Sequence, residues 1–264
     1  MSSKSNDAIY EHFHPDERHF VDRVQEWVER AGDRHETVRT DFLDPRQIQI
    51  VLALANRNVD VAVDFFGGAE RAERKRAWIA QDYRQPTQDD FGIALMAIAS
   101  PEPQFDQLDH GDVLGAVLGL GIKRDKLGDI HLHADRCHLL CAEEMADYIR
   151  IHLNQVHRLS VTADRIPLEQ LAPVDTKLEE LSLSVASLRL DGIVSDVVRV
   201  SRAKVLQPIK AGRCKVNWKV EENPSVQLRE GDVVSLKGFG RFQVLSIDGV
   251  TKSGRMRVKI GKYV

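Results

Sequence analysis

The last third of the chain carries a hydrophobic pattern that repeats at helical spacing. Apolar residues fall at i, i+3, i+4, i+7 and i+8, which is typical of one buried stripe along a helix. The stripe is formed by Leu190, Ile193, Val194, Val197 and Val198. Because such a stripe must be covered by a neighbouring element, the pattern predicts a folded domain here.

A second helix is predicted directly after this stripe. Ser201 is a typical N-cap residue, and its hydroxyl is expected to accept a hydrogen bond from a backbone N–H of the first turn. Gly212 suits the position just past the last turn. The predicted buried face of this helix consists of Ala203, Leu206 and Ile209. A β-hairpin with its turn at Asn217-Trp218 follows, and the last strands are predicted at 233–237, 242–247 and 255–260.

The first 85 residues show both helical and strand-like patterns. A helix over 16–31 is expected to end at Gly32, and Asp44-Pro45 is a typical start for the next helix. A strand is predicted over 59–66, and a further helix over 70–80.

The middle of the chain has a more regular order, β-α-β-β-α-β. This order is typical of a ferredoxin-like sandwich, also found in RNA-recognition motifs, with two helices on one face of an antiparallel sheet. An RNA-recognition motif would show aromatic residues on its central strands, and here histidines are the only rings. The predicted elements span 93–99, 111–120, 129–133, 137–141, 143–156 and 158–162.

These patterns together predict an α+β protein. We expect an N-terminal α/β region over 1–85, a central RRM-like domain over 86–165, a linker over 166–181, and a C-terminal domain over 182–264 with two helices on a small, mostly antiparallel sheet.

Composition places the chain among ordinary globular proteins, with 42% hydrophobic and 29% charged residues. No apolar run is long enough to span a membrane, and the acidic first twenty residues lack a signal-peptide core. Three cysteines are too few for a disulfide framework. We therefore expect a cytoplasmic protein without membrane contact. We also expect the protein to be a monomer.

Charge separates the C-terminal domain from the rest of the chain. Residues 182–264 contain 16 Lys+Arg against 7 Asp+Glu, a net charge of +9, whereas residues 1–181 contain 21 against 33, a net charge of −12. A basic domain with a cationic helix N-terminus is suited to binding a phosphate backbone. The RNA-binding side chains predicted here are Arg189, Arg199, Ser201, Arg202, Lys204, Lys210, Arg213, Lys215, Asn217, Trp218 and Lys219.

Four ordered blocks in this domain resemble the RNA-binding domain named after ribosomal protein S-four. They are Arg189-Leu190-Asp191, Ser201-Arg202-Ala203, the run 209–217 and Gly231-Asp232-Val233-Val234. The segments 216–220 and 237–241 are more particular and resemble the bacterial YlmH family. Trp218 departs from the domain pattern, which usually has glycine after the Val-Asn pair.

The resemblance implies a specific class of RNA. Members of the YlmH family are similar to factors that bind large ribosomal subunits obstructed by peptidyl-tRNA, within ribosome-associated quality control, and their genes often neighbour cell-division genes. It therefore implies ribosomal RNA of the large subunit and tRNA as partners. Because the sequence contains no reaction-centre motif, we expect no catalysis and no cofactor.

A second RNA contact is predicted in the glycine-rich loop of residues 119–129. Its cations are Lys123, Arg124 and Lys126, and a plain solvated loop is the alternative. An RNA contact and a solvated face are also the two alternatives for the cations of the helix predicted at 70–80, which are Arg71, Arg74, Lys75 and Arg76.

Four possible zinc ligands lie close together in the sequence and suggest the hypothesis of a metal site. They are His131, His133, Cys137 and Cys141. No zinc-ribbon or zinc-finger spacing is present, so we expect no metal, with solvated histidines and buried cysteines instead.

Two alternatives to a non-catalytic RNA-binding factor stay open. The first is an RNA-modifying enzyme resembling pseudouridine synthases, although no catalytic motif is found. The second is an adaptor whose acidic N-terminal half binds a protein partner.

Overall fold

The computed structural model describes residues 10–100, 108–174, 178–250 and 254–263. The chain divides into two compact units. One unit comprises Pro15–Val174, and the other comprises Asp175–Val264 together with Met1–His14. No helix in the part of the chain that the structure describes is long and apolar enough to cross a membrane.

The first part of unit Pro15–Val174 is a three-stranded antiparallel sheet with two helices. Its strands run in the order β1-β3-β2. Helix α2 begins with a capping box, in which Asp44 accepts a hydrogen bond from the Gln47 N–H and the Gln47 side chain accepts one from the Asp44 N–H. The elements are α1 (Arg18–Arg34), β1 (Val38–Leu43), α2 (Pro45–Ala55), β2 (Val61–Phe66) and β3 (Lys75–Gln81).

The helix predicted over 70–80 is wrong, because this segment contains strand β3. Ala77, Ile79 and Ala80 are fully buried, and Trp78 nearly so. The strand lies between β1 and β2 and is covered on both faces, so it lacks the alternation that marks a half-exposed strand. Strand β1 was not predicted.

Helix α1 also continues past Gly32, where its end was predicted. The Gly32 carbonyl accepts a hydrogen bond from the Gln81 side chain, and a Cβ at this position would lie 2.5 Å from the Asn58 amide nitrogen. Gly32 therefore does not end the helix. Its lack of a side chain allows Asn58 to pack closely against α1.

The central part of this unit is a four-stranded antiparallel sheet in the order β5-β6-β4-β9. Two helices pack on one face, where Met96, Ile98 and Leu139 meet Val113 and Ile149 in a common core. The elements are β4 (Ile93–Ala99), α3 (His110–Gly119), β5 (Leu127–Leu132), β6 (Arg136–Ala142), α4 (Ala146–His152), β7 (Gln155–Val156), β8 (Leu159–Ser160) and β9 (Thr162–Ile166).

The end of this order differs from the prediction. Helix α4 is shorter than the predicted 143–156, and the strand predicted over 158–162 is divided. Strand β8 pairs with β7 in a small hairpin, and the fourth strand of the sheet is β9. His157, with a φ of 52°, lies in the turn of that hairpin.

The C-terminal unit has two helices on one antiparallel sheet, in the order β10-β15-β14-β13-β11-β12. Its core joins Ile193 and Val194 of the first helix with Val205 and Ile209 of the second. The elements are β10 (Leu178–Val185), α5 (Leu190–Val198), α6 (Arg202–Lys210), β11 (Cys214–Val216), β12 (Lys219–Val220), β13 (Val233–Leu236), β14 (Gly240–Val250) and β15 (Met256–Tyr263).

The hydrophobic stripe predicted for α5 is confirmed, but the face predicted for α6 is corrected. Ala203 is exposed, and Val205 takes its place in the core beside Ile209. Val205 and Ile209 are four residues apart and so lie on one face of the helix. Strand β10 begins at Leu178, so the last residues of the predicted linker belong to a strand.

A buried arginine stabilises unit Pro15–Val174. The Arg76 side chain is 3% exposed, and its Nε donates to the Thr40 carbonyl at 2.7 Å. Its Nη1 donates to the Gly92 carbonyl at 2.7 Å, and the carboxylates of Asp41 and Glu144 lie within 3.9 Å of the guanidinium. The residue therefore links the three-stranded sheet to the start of the central sheet.

We expect Arg76→Met to lower the free energy of unfolding by about 3 kcal/mol, because it removes hydrogen bonds to the carbonyls of Thr40 and Gly92 and a buried positive charge from beside Asp41 and Glu144. Urea unfolding followed by circular dichroism measures this loss. Arg71→Met, at an exposed position nearby, is the matched control and should have little effect. Equal stability of the two variants would contradict the structural role of Arg76.

Candidate nucleic-acid interface

The turn between α5 and α6 is held by local hydrogen bonds. The Ser195 hydroxyl donates to the Val200 carbonyl at 2.6 Å, and Arg199 takes a left-handed conformation with a φ of 54°. Ser201 lies at the N-cap position of α6, where its carbonyl accepts from the Lys204 N–H. Its hydroxyl makes no capping hydrogen bond to the described residues, so that part of the prediction is wrong.

The buried carboxylate of Asp191 joins two arginines, one at the N-cap of α5 and one in the first turn of α6. Arg189 donates from Nε and Nη to the two carboxylate oxygens at 3.1 and 2.8 Å. Arg202, the first residue of α6, donates to the same carboxylate at 3.2 Å. The Asp191 side chain is 6% exposed, whereas those of Arg189 and Arg202 are 37% and 55% exposed. One buried anion thus positions two accessible cations side by side.

Gly192 makes room for this arrangement. A Cβ at residue 192 would lie 2.6 Å from the Arg202 Nη2 atom, so a larger residue would displace the guanidinium. The hydrogen bonds from Arg189, aided by the charge of Arg202, lower the pKa of Asp191 against the opposing effect of burial. The carboxylate therefore stays ionised and keeps both arginines in place.

The other predicted residues on this side are accessible but less constrained. Lys204 and Lys210 on α6 and Arg213 just after it are all exposed. Arg199 is also exposed and lines a shallow groove with Glu179 and Phe239. These cations can contribute charge to an interface, while the geometry of Arg189 and Arg202 can contribute specificity.

The hairpin residues have different surroundings. Asn217 and Trp218 form the turn between β11 and β12, with φ of 50° and 65°. The Asn217 amide donates to Asp232 and its oxygen accepts from the Val233 N–H, so this side chain is engaged inside the unit. Lys215 and Lys219 are exposed and Trp218 is half-buried.

The cations of the predicted second contact do not form one exposed cluster. Lys123 is exposed, but Arg124 donates to the carbonyls of Leu127 and Gly128. Burial lowers the pKa of Arg124 to about 10. Lys126 donates to Asp41 at 2.6 Å and to Glu144 at 2.9 Å.

Two more arginines of the first part are engaged in the same way. Arg74 donates to the carbonyls of Phe42 and Leu127, and Arg76 is buried as described above. The surface predicted from the charges at 71–76 is therefore corrected, because these two side chains bind backbone carbonyls within the unit.

The candidate metal residues are divided between the faces of the central sheet. Cys137 and Cys141 are fully buried in the core beneath the helices, and burial raises the pKa of each thiol to about 12. Their neighbour His138 points to the other face, paired with His131. Among the described residues no group of three or more His, Cys, Asp or Glu could hold a metal ion.

The histidines have a structural contact that the sequence did not predict. His138 Nδ1 accepts from the Ala172 N–H at 3.2 Å, and His131 Nδ1 accepts from the Val174 N–H at 3.3 Å. The two imidazoles therefore fasten the segment that follows the central sheet.

The face of the central sheet opposite its helices is covered. Leu95 and Leu140, which point to this face, are 1% and 0% exposed. A Cβ at Gly68 would lie 2.5 Å from a Leu140 methyl group, and one at Gly128 would lie 2.8 Å from the Phe42 ring. Because residues of the first part occupy this face, bases cannot stack on its centre as they do in an RNA-recognition motif.

Comparison with known proteins places the chain in a family. The family model described as "Putative RNA-binding domain in YlmH" matches residues 86–170, and the one described as "YlmH, N-terminal" matches residues 16–84. The chain is 38% identical over 250 residues to "Ribosome-associated protein quality control protein P2" of Bacillus subtilis (strain 168), across 95% of this chain and 96% of that protein.

The chain belongs to the YlmH family. A solved structure, "Cell division protein ylmH from Streptococcus pneumoniae", is 28% identical to it with a TM-score of 0.52. The match covers 61% of this chain and 98% of that chain.

Sequence reasoning overlooked the residue that joins the two arginines of the candidate interface. Asp191 was visible only as part of a motif, and its role depends on an arginine eleven positions later. The signal that could have indicated it is an acidic residue on the buried side of an amphipathic helix in a basic domain, because such a carboxylate needs a cationic partner.

We expect Asp191→Asn to weaken binding to structured RNA roughly tenfold, because Arg189 and Arg202 lose their common acceptor. Filter binding at fixed salt measures the change. Asp196→Asn, at an exposed position on the same helix, removes the same negative charge and is the control. If net charge alone determined affinity, both variants would bind RNA more tightly, which would contradict the positioning role.

We expect the histidine contacts to make stability depend on pH. Burial is the main cause that lowers the pKa of His131 and of His138 from the ordinary value of 6.5. For a group with a lowered pKa, the unfolded chain binds more protons, so its contribution is complete above 6.5 and is lost as pH falls through the folded pKa.

The measurement is urea unfolding from about pH 7 to about pH 5. His131→Gln with His138→Gln keeps two acceptors that do not titrate, and should flatten the dependence. His19→Gln, on the exposed side of α1, should leave it unchanged. An unaltered slope in the double variant would mean that other groups cause the dependence.

Proposed function

We propose that this protein is a non-catalytic RNA-binding factor of ribosome-associated quality control. It binds ribosomal RNA and tRNA on large ribosomal subunits obstructed by peptidyl-tRNA, and it acts in the cytoplasm as a monomer. The observation that carries this proposal is the pair of arginines held by Asp191, one at the start of α5 and one at the start of α6, in a domain with a net charge of +9.

The arrangement suits a phosphate backbone better than a small ligand. Arginine guanidinium groups bind phosphate with paired N–H donors, and both guanidinium groups stay partly exposed. The N-terminus of α6 adds the positive end of a helix beside Arg202. The bacterial relative that is named for ribosome-associated quality control supports the choice of RNA.

We also propose that different parts of the chain have different roles. Residues 1–85 and the ferredoxin-like domain at 86–165 direct the protein to its place on the ribosome, and the S-four-type domain, which begins with strand β10 at Leu178, binds the RNA. The engagement of Arg74, Arg76, Arg124 and Lys126 inside unit Pro15–Val174 supports this division. These cations stabilise the unit, so the larger share of RNA affinity comes from the C-terminal domain.

We expect Arg202→Glu with Lys204→Glu to abolish binding to structured RNA and co-sedimentation with large ribosomal subunits. In each of the single variants Arg202→Glu and Lys204→Glu, the lost phosphate contact should reduce the slope of log affinity against log salt by about 1. The matched control is Arg57→Glu with Arg158→Glu, which makes the same change of charge at exposed positions of the other unit.

Retained affinity in the first variant, with an unchanged circular dichroism spectrum, would overturn the assigned surface. Equal losses in both variants would show that only net charge matters. Sedimentation with and without peptidyl-tRNA on the subunit tests the proposed specificity.

A further inference from the structure

The sheet of the C-terminal unit has an outer face, opposite its two helices. Lys215, Ser235 and Arg241 form one row across this face, since Lys215 pairs with Ser235 and Ser235 pairs with Arg241. The residues beside them in sequence, among them Cys214 and Phe242, point the other way into the core with α5 and α6. The outer face is therefore separate from the interface around Asp191.

Two aromatic rings and a guanidinium gather at one end of this face. The guanidinium carbon of Arg241 lies 4.0 Å from the centroid of the Tyr263 ring and 5.9 Å from the centroid of the Trp218 ring. Both distances lie within the range of a cation–π contact. Trp218 and Tyr263 are half-buried, so part of each ring is accessible.

The backbone at Trp218 is unfavourable for its side chain. Both turn residues, Asn217 and Trp218, have positive φ, as in the tight hairpin turns in which asparagine and glycine are preferred. Asparagine adopts this conformation readily and is held by Asp232. A tryptophan is strained in this conformation, whereas glycine, the usual residue here in the domain pattern, would be least strained. Strain kept at one aromatic residue is a recognised mark of function.

We propose that Trp218, Arg241 and Tyr263 form a stacking site for an unpaired RNA base. The base stacks on the accessible part of the Trp218 ring, and Arg241 and the exposed Lys215 bind the adjoining phosphates. Aromatic rings interleaved with cations are the usual design of single-strand sites, because every base has a face for stacking. This inference rests on the proposed function and extends it from structured RNA to a neighbouring single-stranded nucleotide.

The test uses the full chain and a single-stranded oligoribonucleotide of about six nucleotides with 2-aminopurine in its centre. Stacking of 2-aminopurine on an aromatic ring quenches its fluorescence. We expect strong quenching at saturation with the natural protein. Trp218→Gly should lose the quenching and bind about 5- to 100-fold more weakly, while Trp218→Phe should keep most of both.

The glycine variant is informative because glycine suits a φ of 65° and should leave the domain folded. Arg241→Gln should weaken binding while the ring of Trp218 remains. The variant Arg202→Glu with Lys204→Glu should lose binding to structured RNA but still quench the single-stranded oligonucleotide at saturating protein, whereas Trp218→Gly should lose the quenching, so failure of the α6 interface and failure of the stacking site are distinguishable. Quenching that is absent in the natural protein, or equal in Trp218→Gly, would overturn the inference.

Discussion

The ionised carboxylate of Asp191 is the constraint on which the candidate RNA interface depends. Burying a carboxylate is costly unless donors surround it, and here Arg189 and Arg202 supply them. Because the two arginines come from the start of α5 and the start of α6, the same contact sets the relation between the helices. The charge that stabilises the helix pair is thus also the charge presented to a ligand.

Unit Pro15–Val174 uses its cations differently. Arg76 is nearly inaccessible, and Arg124 and Lys126 satisfy carbonyls and carboxylates of their own unit. The open face that an RNA-recognition motif would use is covered by residues of the first sheet, among them Phe42. The name of the matching family model therefore does not imply base stacking on this sheet, and RNA contacts of this unit must use other surfaces.

The two faces of the C-terminal sheet present different groups, and under the proposals above each face suits a different part of an RNA. On the helical side, fixed guanidinium groups suit phosphates, which occur in every RNA. On the outer side, the group of Trp218, Arg241 and Tyr263 suits a base, which is available only where the RNA is unpaired. A structured RNA with an exposed nucleotide could satisfy both.

The sequence by itself determined the elements whose burial follows a local period, and the charge of each region. The stripe of α5, the start of α2 at Asp44 and strand β4 at Ile93–Ala99 were all predictable, because spacing and capping act over a few residues. Tertiary structure alone decided that 75–81 is a central strand and that Lys126 is engaged with Asp41. It also decided that Asp191 joins two arginines. The reason is physical: a buried polar group needs partners, and these lie far along the chain, where no local pattern indicates them.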